Sequence, residues 1–320
     1  MESPRARPGS RRRRAPVRAA LIVFAVVGAL VVGAVYVRGH AHPGPDPVSV
    51  SSSASAPVGG EASVESVVDR DALLSDAMAS VTVAAGAEVS VAVLDPVSGD
   101  SASYGEGVFD TASIVKVDIL AALLLQAQDA GRTLTAVEKS YAVAMIEESD
   151  NDSASALWRT IGTADGLDAA NERFGLTRTE GGDGALWGLT QTTAADQLTL
   201  LRQVFGADGS ELSESSRAYL RGLMGRIAEG QRWGVSAAAD GAGWALKNGW
   251  LRRSTTGLWV VNSIGRVPAG GHAYLVAVLS RGSATQAAGI SLAEAAARAA
   301  VSVFAGEDGA VGAVGAQKSS

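Results

Sequence analysis

The stretch Asp110–Leu125, DTASIVKVDILAALLL, sets a lysine inside an apolar run. The chain has 23 arginines and four lysines, so a lysine at 116 is a rare choice of cation. Ser113 stands three residues earlier, which on a helix places the two side chains on one face a turn apart. Two readings fit. Ser113 caps a core helix from which Lys116 snorkels, or burial makes Lys116 a neutral amine, a state arginine does not reach. In the second reading the amine is a general base for the serine hydroxyl, and the helix start favours an oxyanion beside it.

The run also opens a long helical middle, about residues 113–228, broken by Gly131, Gly175 and the Gly181–Gly184 cluster. Before it, apolar recurrence predicts a helix in residues 64–80. Val89–Leu94, the turn DPVSGD and Ser101–Gly107 predict a hairpin. After the middle come strand-like runs at Gly243–Arg252, Gly257–Ile264 and His272–Ser280, then an amphipathic helix at Leu292–Phe304. Two strands early and three late predict an α/β (α+β) domain. Its five-stranded antiparallel sheet is formed by both chain ends and flanked by an inserted all-helical region.

Charge is unevenly placed. Residues 1–42 hold eight arginines and one glutamate, leaving 19 basic and 32 acidic residues beyond, a formal −13. Such a body excludes nucleic-acid binding as a main task. No cysteine is present and only His40, His42 and His272 supply imidazoles, so neither a thiolate nor a histidine metal site is expected, nor any cofactor. A Ser-His-Asp hydrolase is disfavoured for the same reason. Residues 1–18 read as a basic cytoplasmic segment. Residues 19–37 carry no charge and as a helix span about 28 Å, a membrane anchor, or a signal segment if Gly39-His40-Ala41 is cleaved. Residues 38–63 read as a flexible linker, 64–305 as the folded domain and 306–320 as a disordered tail. The domain is expected outside the cytoplasm, as a monomer, attached to the membrane or secreted.

Two further stretches stand out. EESDNDSAS places Ser149-Asp150-Asn151 between helical runs, where a plain junction prefers the same residues. WALKNGWL sets Lys247 among Trp244, Leu246, Trp250 and Leu251, with Gly249 permitting a ligand close to the strand. An edge-strand lysine that deters aggregation is the alternative. Alternation puts Lys247 and Gly249 on one face, away from Asn248.

S-x-x-K at Ser113–Lys116, then S-D-N at Ser149–Asn151, then Lys247-Asn248-Gly249 resembles the motif set of the penicillin-recognising serine enzymes, in the class A β-lactamase branch, over about residues 64–305. The resemblance implies the β-lactamase/transpeptidase-like fold and an acyl-enzyme formed with a β-lactam or a peptidoglycan peptide. It implies Ser113 as nucleophile, Lys116 as base or relay, and Ser149 as the donor to the leaving nitrogen, biased by Lys247. It implies Asn151, Asn248, Gly249 and Trp250 around the substrate, with the backbone N–H groups of Ser113 and Trp250 as oxyanion hole.

There are departures. Ser113 and Ser149 are only 36 residues apart, shorter than in that branch. The glutamate loop E-x-x-L-N, whose carboxylate activates the deacylating water, is missing from Thr177–Gln197, TRTEGGDGALWGLTQTTAADQ. Glu180 is its only glutamate and the one candidate for that role, a solvated loop charge being the alternative. Asn248 replaces the usual Thr or Ser. Trp187 and Trp233 fit the core better than the cleft. The alternatives to a β-lactam-acylated hydrolase are a D,D-carboxypeptidase-like peptidase and a non-catalytic anchored binding module.

Overall fold

The computed structural model describes residues 68–206 and 208–304. The expected basic segment, membrane or signal segment, linker and tail lie outside these residues.

Five strands form one antiparallel sheet in the order β2-β1-β7-β6-β5: β1 Glu88–Leu94, β2 Ser101–Tyr104, β5 Ala245–Arg252, β6 Trp259–Ala269 and β7 His272–Ser283. The last three complete what the first two begin, because β1 pairs with β7, Val91 opposite Val278. β5 is therefore an edge strand. A second ladder joins β3 (Phe109–Asp110) to β4 (Gln191–Thr192).

Alternation assigns each face of the sheet. Ala92, Leu94, Ala245, Ile264, Leu275, Ala277 and Leu279 face one apolar cluster. Into it pack α2 (Val115–Asp129), α4 (Asn151–Ile161), α5 (Thr163–Phe174), α6 (Ala194–Phe205) and α7 (Glu214–Met224), with α3 (Ala136–Glu147) against α4. Val91, Val93, Leu246, Val276 and Val278 face the other cluster, closed by α1 (Arg70–Met78) and α8 (Gln286–Ser302). α8 approaches closely because its inner face is small: Ala293, Ala296, Ala297 and Ala300 are fully buried. A Cβ on its Gly289 would stand 2.4 Å from Val261 Cγ2.

α2 is buried around nearly its whole circumference, its apolar run interrupted only by Lys116 and Asp118 before the polar last turn. Each buried leucine there contributes about 1.5–3 kcal/mol of burial. α3 starts on a capping box between Thr135 and Glu138. α4 starts on Asp150, which accepts from Ser153 N at 2.9 Å, and stops at Gly162 in the left-handed region.

Candidate active site

The turn that carries Ser113 is held from three sides. It is a 3₁₀ turn, Ala112–Ile114, leading directly into α2. Ala112 has φ 49°, a conformation an L-residue adopts only when its surroundings impose it. The amide of Asn262, buried on β6, donates to Asp110 O and Thr111 O, both at 2.9 Å, while its Oδ1 accepts from Ser280 N. Thr111 N donates to Thr190 O at 2.8 Å, and Asp110 bonds Gln191 and pairs with Arg253 at 2.7 Å. On the third side β5 comes so near that a Cβ at Gly249 would meet Ser113 N at 2.7 Å, Ile114 N at 2.8 Å and Thr111 O at 2.9 Å. Glycine is required there by space, not by φ.

Across the cleft, Ser149 precedes α4 with φ 58°, again left-handed. That conformation turns its carbonyl and hydroxyl toward α2. Lys116 Nζ donates to Ser149 O (2.6 Å), Ser149 Oγ (3.1 Å) and Asn151 Oδ1 (2.8 Å). Lys247 Nζ donates to the same Ser149 Oγ at 3.0 Å, to Asn248 O at 2.9 Å and to Gln231 Oε1 at 3.4 Å. Both lysines are fully buried. Burial pulls the Lys116 amine down to about 7, with the Asp150 carboxylate partly opposing. Burial, then the charge of Lys116, holds Lys247 well below an ordinary amine. Two desolvated amines meeting on one hydroxyl make a path for a proton.

The Ser113 hydroxyl forms no hydrogen bond among the described residues, and all three Lys116 donors point to the Ser149–Asn151 loop. The serine and lysine of S-x-x-K thus share a cleft wall without being joined, and the amine is already coupled to Ser149. Asn151 is exposed at the rim, its Oδ1 facing Lys116. Trp250, half-buried, lies 5.9 Å from the ring of Trp233.

Two expected site residues, Asn248 and Glu180, make their hydrogen bonds away from Ser113 and Lys116. Asn248 is fully buried on the opposite face of β5 from Lys247, where its amide donates to Gln231 O (2.7 Å) and Trp233 O (3.0 Å). Strand alternation turns its side chain to the face of β5 opposite Lys247, where these two bonds brace the strand against the segment Gln231–Trp233. Glu180 is exposed, its backbone paired in both directions with Gln191, and its carboxylate forms no hydrogen bond or ion pair among the described residues. The group that this loop does present to Lys116 is Trp187, whose ring centre lies 5.0 Å from Nζ and whose Nε1 donates to Ser155 Oγ at 3.1 Å. Trp187 is half-exposed cleft wall as well as packing. The loop is pinned by Trp158 Nε1 on Gly184 O at 2.8 Å and by Gly182 N on Thr190 Oγ1 at 3.1 Å.

Sequence reasoning missed Asn262 and Gln231. Gln231 links the segment after α7 to both ends of the site, its Nε2 on Glu148 O (2.8 Å) and its Oε1 on Lys247. His272 lies at the far end of β7 and faces Asp95, so it takes no part here.

A sheet made by both chain ends, an inserted helical region, and a serine turn facing two buried lysines define the β-lactamase/transpeptidase class. The chain belongs to the beta-lactamase enzyme family, whose model matches residues 137–304. Among solved structures it is similar to PBP-A (TM-score 0.63, 22% identity, 73% of this chain and 96% of that one). It is also similar to the TLA-1 extended spectrum β-lactamase (TM-score 0.63, 15% identity, 73% and 98%) and to a β-lactamase from Xanthomonas campestris (TM-score 0.58, 20% identity, 74% and 100%). At these identities the likeness is one of fold. A Mycobacterium tuberculosis protein described as the lipoprotein LppW is 26% identical over 174 residues, 52% of this chain and 55% of that protein. The match spans about half the length of that relative.

Proposed function

We propose that this protein is a serine hydrolase of the cell envelope, acylated at Ser113 by β-lactams or by the peptide amides of peptidoglycan. The observation that carries the reading is the convergence of Lys116 and Lys247 on Ser149 Oγ, beside a serine turn that Gly249 and Asn262 fix in place. Lys116, near neutrality, takes the Ser113 proton as the hydroxyl attacks the carbonyl. Ser149 hands a proton to the departing nitrogen and is resupplied from the lysines. The backbone N–H groups of Ser113 and Trp250 receive the developing oxyanion. Asn151 binds the substrate amide.

The acyl group then leaves slowly. Hydrolysis requires a base aimed at a water beside the ester. The flank of Lys116 toward residues 181–190 carries the Trp187 indole instead of a carboxylate. Incubation of the full chain with a chromogenic cephalosporin tests this: a stoichiometric burst with a Ser113 adduct supports the reading, and no adduct with any β-lactam refutes it.

The family resemblance to a protein described as a lipoprotein supports an envelope location. This chain has no cysteine, so the uncharged segment 19–37 is the proposed link to the membrane. No helix among the described residues is long and apolar enough to cross one.

A further inference from the structure

Behind the edge of the sheet lies a second cleft of about 660 Å³, separate from the Ser113 site. Three arginines from three different elements line it: Arg221 on α7, Arg232 after the turn Glu229–Gln231, and Arg266 on β6. Its apolar walls are Trp244 and Phe205. Among the described residues no carboxylate lines this cleft. Arg221 is paired with Glu214 at 2.5 Å, but Arg232 and Arg266 have no acidic partner among the described residues. Arg232 lies over the Trp244 ring at 5.8 Å, and Arg266 donates one N–H to Gly243 O at 3.2 Å, leaving the rest of its fork open.

Such a cluster is not explained by composition, because the chain beyond residue 42 is strongly acidic. Arg221 has Glu214 as its counter-charge, but Arg232 and Arg266 have none among the described residues, and an oxyanion would supply it while filling their guanidinium forks. Trp244 and Phe205 add a wall for a flat apolar group. We propose that this cleft binds a ligand carrying a carboxylate or phosphate joined to a planar apolar part. The anion sits between Arg232 and Arg266, with the ring against Trp244.

Calorimetric titration of the full chain with phenyl phosphate, benzoate, inorganic phosphate and phenol tests the proposal. Either aromatic anion, or both, is expected to bind saturably at one site. The aromatic anion that binds identifies the anion class, with inorganic phosphate about tenfold weaker than it and phenol giving no signal. Arg232→Ala and Arg266→Ala, checked for unchanged melting, are each expected to weaken that binding by at least about tenfold, and Arg266→Lys to restore part of it. Absence of saturable binding by both aromatic anions, phenol binding as well as they do, or affinity unchanged in both alanine variants would overturn the proposal.

Discussion

Lys116 and Lys247, on different walls of the cleft, bond one and the same oxygen, Ser149 Oγ, at 3.1 and 3.0 Å. Two ammonium groups so close in a dry site oppose each other's charge, so the pair holds fewer protons at neutral pH than two exposed lysines. This deficit leaves a neutral amine, able to accept a proton, on a residue type that is ordinarily an acid.

The pH dependence of acylation follows. With Lys116 near 7, its neutral form is half populated at that pH and approaches saturation about one unit above it. The rate of Ser113 adduct formation is expected to rise through a midpoint near pH 7 and to level about one unit higher. Lys116→Met is expected to lower it by about 10²–10⁴ and to remove the rise, as timed intact-mass measurements would show.

Gly249→Ala drives a methyl group into the backbone of Thr111, Ser113 and Ile114, none of which is a flexible side chain that can swing aside. The serine turn must shift. A loss of roughly 100-fold in acylation rate is expected, with a lower melting temperature.

Trp187→Glu puts a carboxylate where the indole faces Lys116. If the missing base is what makes the acyl-enzyme persist, its half-life should fall at least about tenfold in this variant while acylation continues. An unchanged half-life would place the obstacle to deacylation elsewhere.

Asp118, buried in α2 two residues from Lys116, is pushed up to about 8 by desolvation. The amide of Asn171, in the orientation that satisfies both groups, donates to its two oxygens at 3.0 and 3.2 Å and only partly offsets this. Between 3.8 and 8 the folded chain holds a proton that the unfolded chain releases, so this group makes stability fall as pH rises through that window. Lys116 acts the other way between 7 and 10.5, where the unfolded chain binds the extra proton and stability rises with pH. Asp118→Asn is expected to flatten the lower slope in denaturant titrations at pH 5 and pH 8, stabilising the protein at the higher pH.

The sheet and the three motif positions were legible because each is local. Alternation marks β1 and β7, and a rare lysine in an apolar run marks α2 and β5. β6 runs on to Ala269, past the expected end at Ile264, because Gly265 and Pro268 break the apolar pattern without breaking the ladder. Gly265 is demanded by its neighbour strand, since a Cβ there would sit 2.4 Å from Ala245 O. β3 and β4 hold two residues each, too few to show a period. Asn262 and Gln231 were not legible because their partners lie far along the chain, Asp110 being 152 positions from Asn262, and Trp187 was legible as a packing residue but not as the neighbour of Lys116. The side of β5 taken by Asn248 was already implied by alternation, although the motif resemblance argued for the cleft.

The most direct measurement is the intact mass of the full chain after incubation with benzylpenicillin, followed by peptide mapping. The account predicts one intact penicillin added per chain, located on Ser113, slow to disappear and missing from Ser113→Ala. A chain that takes up no penicillin, or a Ser113→Ala variant that takes it up as well, would contradict it.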